Sequence, residues 1–235
     1  MLSPILGKPR MEETQLLEDA VRAIGVFRSD LKKLIDQQTR DCGRYTRFDL
    51  WCRGFVSALS ELEWSVRGAA TFSEPIRHKY EEAMDAEEAS SYHNHLYFQK
   101  NAYIRMFSIL DKLGYFLNDM YRLETERVKA KFSYFTVLRQ MKHRKEEPDL
   151  EQQLFQLKTK FKEPMERLRV KRNMEVHHIN AEMLDDLQRT DLCKADRTYI
   201  EDLDACLSDL RAGYEMVCLT LTTSFHYFHR HTSAK

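Results

Sequence analysis

Leu96-Tyr97-Phe98-Gln99-Lys100-Asn101-Ala102-Tyr103-Ile104-Arg105-Met106-Phe107-Ser108-Ile109-Leu110-Asp111-Lys112-Leu113 is the stretch on which the fold turns. It lies in a segment from about Ser91 to Glu126 that is the most apolar of the chain and goes on through Phe116, Leu117, Met120 and Tyr121. Its large side chains recur at helical spacing but occupy more than one face, the pattern of a helix packed on several sides. Such a helix needs amphipathic partners, and the flanking sequence supplies them.

Upstream, Leu17, Val21, Ile24, Phe27 or Arg28, Leu31, Leu34 and Gln38 mark a stripe at three- and four-residue steps, predicting a helix from about Glu12 to Arg40. Cys42-Gly43 reads as its stop, because glycine takes the left-handed cap conformation readily. A second helix is expected from about Arg47 to Ala70, with Trp51, Phe55, Leu59, Leu62 and Val66 on one side. Thr71 to Pro75 reads as a turn and a new helix start, Ser73 capping a short helix over 75–88.

Downstream, residues 129–142 continue in helical style, and Lys142 to Asp149 is a charged, proline-bearing surface loop. A short helix over about Leu150 to Lys162 is interrupted by Pro164. The next helix runs to about Gln188, with Leu168, Met174 or Glu175, Ile179, Met183 and Leu187 as its buried line. Lys194-Ala195-Asp196-Arg197 opens the last helix, which passes through Leu207, Leu210, Tyr214, Val217 and Leu221 to a histidine-rich, solvated end. Consecutive amphipathic helices with short joints predict an all-α antiparallel bundle, one domain over 1–235.

Composition agrees. Seven glycines and five prolines in 235 residues are too few for a turn-rich β architecture, and 43% hydrophobic residues suffice for a core. Formal charge is balanced, 37 basic against 37 acidic, so global charge points to neither nucleic acid nor membrane. The balance hides an asymmetry: residues 127–172 hold fourteen basic and six acidic side chains. Five cysteines, Cys42, Cys52, Cys193, Cys206 and Cys218, are odd in number and lack CxxC spacing, which suits free thiols in a reducing cytoplasm. No secretory leader and no run of about 18 apolar residues is visible, so the expectation is a soluble, cytoplasmic protein off the membrane.

The basic stretch runs into Arg172-Asn173-Met174-Glu175-Val176-His177, followed by His178. This places a permanent cation, an amide and imidazoles within one or two helical turns. Asn173 and His177 share a face, while Arg172 and His177 stand about 140° apart around the axis. An imidazole titrating near about pH 6.5 can take or give a proton, and a guanidinium fork can neutralise a phosphoryl group. Together they suit RNA cleavage by the RNA's own 2′-hydroxyl, giving a 2′,3′-cyclic phosphate and a 5′-hydroxyl with no metal or other cofactor. His177 is the candidate proton carrier, Arg172 the charge stabiliser, Asn173 the orienting amide and His178 a supporting neighbour. Lys158, Lys160, Lys162, Arg167, Arg169 and Lys171 are the candidate RNA-binding cations. One chain carries one such set, so a two-fold dimer that joins two sets is expected.

Arg172-Asn173-x-x-x-His177 resembles the Arg-x4–6-His signature of the HEPN superfamily, helical bundles that commonly carry a polar residue after the arginine. Chain length, helical texture and the late motif are similar to the Cthe2314-like HEPN group of bacterial proteins. The resemblance implies a HEPN-like bundle with additional helices and, in many members, a metal-independent endoribonuclease whose site lies at a homodimer interface. It also implies RNA as partner, a regulatory protein or antitoxin as a further one, and for some members binding of RNA, nucleotide or protein without cleavage.

Other constellations read more plainly. Glu175 and His178 have a di-iron spacing, but no second Glu-x-x-His exists. His226, His229 and His231 read as a frayed helix end. His93-Asn94-His95 lacks the strands that a ββα-metal nuclease needs. Tyr92, Tyr97, Phe98, Tyr103 and Phe107 read as core.

Overall fold

The computed structural model describes residues 11–37, 41–128, 132–177 and 199–232. Among these the chain forms α1 (Met11–Asp36), α2 (Cys42–Ser73), α3 (Ala86–Met120), α4 (Thr125–Val128), α5 (Tyr134–Arg144), α6 (Pro148–Lys160), α7 (Lys162–His177) and α8 (Leu203–Thr232). A 3-10 turn covers Glu81–Ala83, and the β pairing among the described residues is one isolated bridge, Tyr80 to Tyr199. The all-helical expectation is borne out.

Two compact units divide the chain. The larger takes Arg10–Glu61, Arg105–Lys162 and Glu215–Lys235. Its core is a cluster of phenylalanine rings around Phe116, whose centroid lies 4.9 Å from Phe48, 5.4 Å from Phe228, 5.7 Å from Phe225, 6.1 Å from Phe55 and 6.3 Å from Phe27. Tilted and edge-on pairs of this kind bind beyond their area alone. Arg44 closes the end of α3, donating from Nη2 to the carbonyls of Asp119 (2.7 Å) and Met120 (2.8 Å), the end where a helix favours a cation. α5 starts at a capping box in which Ser133 and Thr136 satisfy each other's backbone N–H groups. That start lies so close to α3 that a β-carbon on Gly114 would sit 3.0 Å from the Tyr134 Cα.

The second unit gathers Leu62–Ile104 and Glu163–Tyr214. Here α2 and α3 meet at Gly68, where a β-carbon would fall 2.5 Å from the Phe98 ring, and Phe98 stacks on Phe72 at 5.6 Å. Asp85 caps α3 by accepting the N–H groups of Glu87 and Glu88. Ile200 donates to the Lys79 carbonyl at 3.0 Å, beside the Tyr80–Tyr199 ring pair.

Several boundaries differ from the sequence expectation. Cys42-Gly43 opens α2 and stops nothing: α1 ends at Asp36, and the Asp41 carbonyl accepts from Arg44 and Tyr45. Ser73 caps no new helix, because it belongs to α2 and its Oγ bonds back to the Ala70 carbonyl at 2.7 Å. Of the expected helix over 75–88 only 86–88 are α-helical, as the start of α3; the rest is irregular chain and the 3-10 turn. Its backbone N–H groups at Arg77 and His78 are taken by the Glu88 carboxylate at 2.6 and 2.7 Å. Pro164 interrupts nothing either; the break falls at Phe161, and Pro164 sits in the first turn of α7, where a missing N–H costs no bond. The histidine-rich end is not frayed. α8 holds to Thr232, His229 pairs with Asp30 at 2.5 Å and His231 stacks on Tyr227 at 3.9 Å. Lys194-Ala195-Asp196-Arg197, Ile179, Met183 and Leu187 lie outside the described residues.

Candidate functional site

α7 changes character along its length. Phe161, just before it, and Met165 and Leu168 within it are buried at steps of four and three, which defines its inward line. The same spacing brings Arg172 and Glu175 onto that line, and both are half-buried, with the Arg172 Nε and Glu175 Oε2 atoms out of reach of solvent. Val170 and Val176 instead face outward, 55% and 50% exposed. A helix that turns charge inward and valine outward over its last two turns is not arranged for a hydrocarbon core. Glu175 meets Lys100 at 3.4 Å. Among the described residues no cluster of His, Cys, Asp and Glu is suited to a metal ion.

Asn173 is half-buried on the same helix, and His177 is its last residue. The His177 side chain and the whole of His178 lie outside the described residues.

The six candidate cations divide by environment. Lys162 and Arg169 are exposed. Lys158 sits over the rings of Phe155 (5.4 Å) and Phe135 (5.7 Å). Lys160 pairs with Glu215 at 2.9 Å. Arg167 is clamped by Asp209 through two bonds of 2.8 and 2.7 Å, and that carboxylate raises the guanidinium's affinity for its proton still further. Lys171 turns inward to Glu201 (2.5 Å) and Cys206 (2.7 Å). Burial alone would lower its pKa, but Glu201 and Cys206 outweigh that and hold the amine charged. Burial likewise works against the Glu201 carboxylate, and Lys171, Cys206 and Gln99 together keep its pKa below the usual range.

A model of the Cthe2314-like HEPN family matches residues 51–229, which include α3, α5, α6 and the whole Arg172–His177 motif. The chain belongs to this family. No curated protein and no solved structure matched. The HEPN match begins at Trp51, inside α2, so α1 lies outside it. Among the described residues no helix of this HEPN chain is long and apolar enough to cross a membrane.

Sequence reasoning missed the Lys171–Glu201–Cys206 cluster and the Lys100–Glu175 pair, because their members are far apart in the chain. It also missed His95, which is fully buried with Nδ1 2.8 Å from the Ala69 carbonyl. The expected core aromatics Tyr92, Tyr103 and Phe107 are buried, whereas Tyr97 is 62% exposed.

Proposed function

We propose that this HEPN chain, acting as one domain over 1–235, is a cytoplasmic, metal-independent endoribonuclease with a composite site at a homodimer interface. The observation that carries the reading is the Arg172-Asn173-x-x-x-His177 motif inside the family match, on a helix whose inward line switches from hydrocarbon to charge. In this reading the RNA's 2′-oxygen attacks the adjacent phosphorus and the 5′-oxygen leaves. His177 carries the proton of one of these steps, and the second copy of the motif carries the other. Arg172 stabilises the equatorial oxygens of the five-coordinate phosphorus, Asn173 orients phosphate or imidazole, and His178 supports the ring. Lys158, Lys160, Lys162, Arg167, Arg169 and Lys171 are proposed to line the approach of the RNA. No metal takes part, since the nucleophile belongs to the substrate. A regulatory protein or antitoxin is the proposed further partner.

The test is cleavage of mixed RNA in EDTA, with sedimentation to establish the dimer. Arg172→Ala and His177→Ala should each lower the rate by about 10²-fold or more and leave products ending in 2′,3′-cyclic phosphate. EDTA-sensitive or mutation-blind cleavage refutes the reading. A second reading, an RNA- or nucleotide-binding module that does not cut, rests on the same basic helix, where Lys162 and Arg169 stay exposed. It predicts binding that survives His177→Ala with no products at all.

A further inference from the structure

Lys171 on α7, Glu201 before α8 and Cys206 in the first turn of α8 form a closed triangle. Lys171 Nζ is 2.5 Å from Glu201 Oε2 and 2.7 Å from Cys206 Sγ, and Sγ is 2.9 Å from the same carboxylate oxygen. Cys206 is 6% exposed, while the Lys171 and Glu201 side chains keep 26% and 30% of their surface. Gln99, buried, also bonds Glu201. His95, wholly buried, feels the charges of Glu201 and Lys171, and its Nε2 has no hydrogen-bond partner among the described residues.

The nitrogen–sulfur gap is the decisive dimension. Sulfur is large and a weak acceptor, so N–H···S contacts run longer than N–H···O ones, yet this one is shorter than many of the N–H···O bonds in the chain. One oxygen atom spans such a gap. We propose that Lys171 and Cys206 are a covalent modification site, closed by peroxide into an Nζ–O–Sγ bridge between α7 and α8.

The chemistry balances with two molecules of hydrogen peroxide. In the first step the sulfur attacks one peroxide oxygen and water leaves: the thiol R–SH and one peroxide give the sulfenic acid R–SOH and one water. In the second the amine nitrogen is joined to the sulfenic oxygen with loss of two hydrogens to the second peroxide: R–SOH, the amine R′–NH2 and one peroxide give R–S–O–NH–R′ and two waters. Sulfur and nitrogen each give up two electrons. Burial and the neighbouring carboxylate push the Cys206 thiol up to about 12, so it rests protonated, and Glu201 Oε2 stands within hydrogen-bond reach of both Sγ and the Lys171 ammonium.

The inference goes beyond the nuclease reading and stands whether or not the chain cuts RNA. The test is peptide mapping of the full chain without reductant, before and after hydrogen peroxide. The expected result is a gain of one oxygen and loss of two hydrogens, located in a cross-linked tryptic peptide that joins Lys171 to Cys206. Cleavage after Lys171 should be blocked, and excess dithiothreitol should restore both free peptides. Lys171→Arg should abolish the adduct and let Cys206 run on to sulfinic acid. The proposal is overturned if treated wild-type protein yields Cys206 as thiol or sulfinic acid with normal cleavage after Lys171. A linked peptide that lacks the extra oxygen, a direct S–N bond, overturns it as well. The wild-type map decides even where a variant fails to fold.

Discussion

Glu88 does at the scale of one side chain what a helix would otherwise have done for residues 75–88. Its carboxylate accepts from the Arg77 and His78 amides and meets His78 Nδ1 at 2.8 Å. The two backbone N–H groups and the imidazole depress its pKa from 4.5 to about 2. A carboxylate whose folded pKa is depressed adds stability above its unfolded pKa, and loses it as pH falls through the folded value. The contribution should therefore be whole at neutral pH and fade between about pH 4.5 and about pH 2. Urea midpoints of wild type and Glu88→Gln should differ at neutral pH and converge in that acid window; a gap that ignores pH would contradict the argument.

Helix crossings carry the next scale. At Gly68 the Phe98 ring occupies the space a β-carbon needs, and Phe98 is itself stacked on Phe72. Gly68→Ala raises helix propensity, yet it should destabilise by about 1–3 kcal/mol because overpacking outweighs the propensity gain of about 1 kcal/mol. Chemical denaturation checks the sign, and pairing it with Phe98→Leu should recover part of the loss. The same scale separates what the sequence could reveal from what it could not. Stripes such as Ile24, Phe27 and Leu31, or Leu207, Leu210, Tyr214 and Val217, were legible because their period is local. The junctions were not. Gly43 reads as a stop yet falls in the first turn of α2, and the chain after Pro75 is held by the Glu88 carboxylate, which no helical period signals, and by the Ile200 amide far along the chain. In the candidate site the motif was readable as letters. That Lys171 turns to Glu201 and Cys206, while Lys162 and Arg169 stay exposed, depends on partners 30 or more positions away.

For the molecule as a whole, balanced charge leaves RNA affinity to local surface. If RNA lies along α7, Lys162→Ala with Arg169→Ala should weaken binding and reduce the salt slope by about 1 to 2. Arg167→Ala should change that slope less, because its charge is already matched by Asp209. Fluorescence anisotropy of labelled RNA over graded salt measures both, and equal slopes for all variants would remove α7 from the contact surface. The rings around Phe116 set a further whole-chain constraint. Two of them, Phe27 and Phe48, precede the matched span, which starts at Trp51. A chain trimmed to that span would present Phe116, Phe225 and Phe228 to water along one flank. Such a fragment should clump on expression, so homology-guided trimming is the wrong way to shorten this protein.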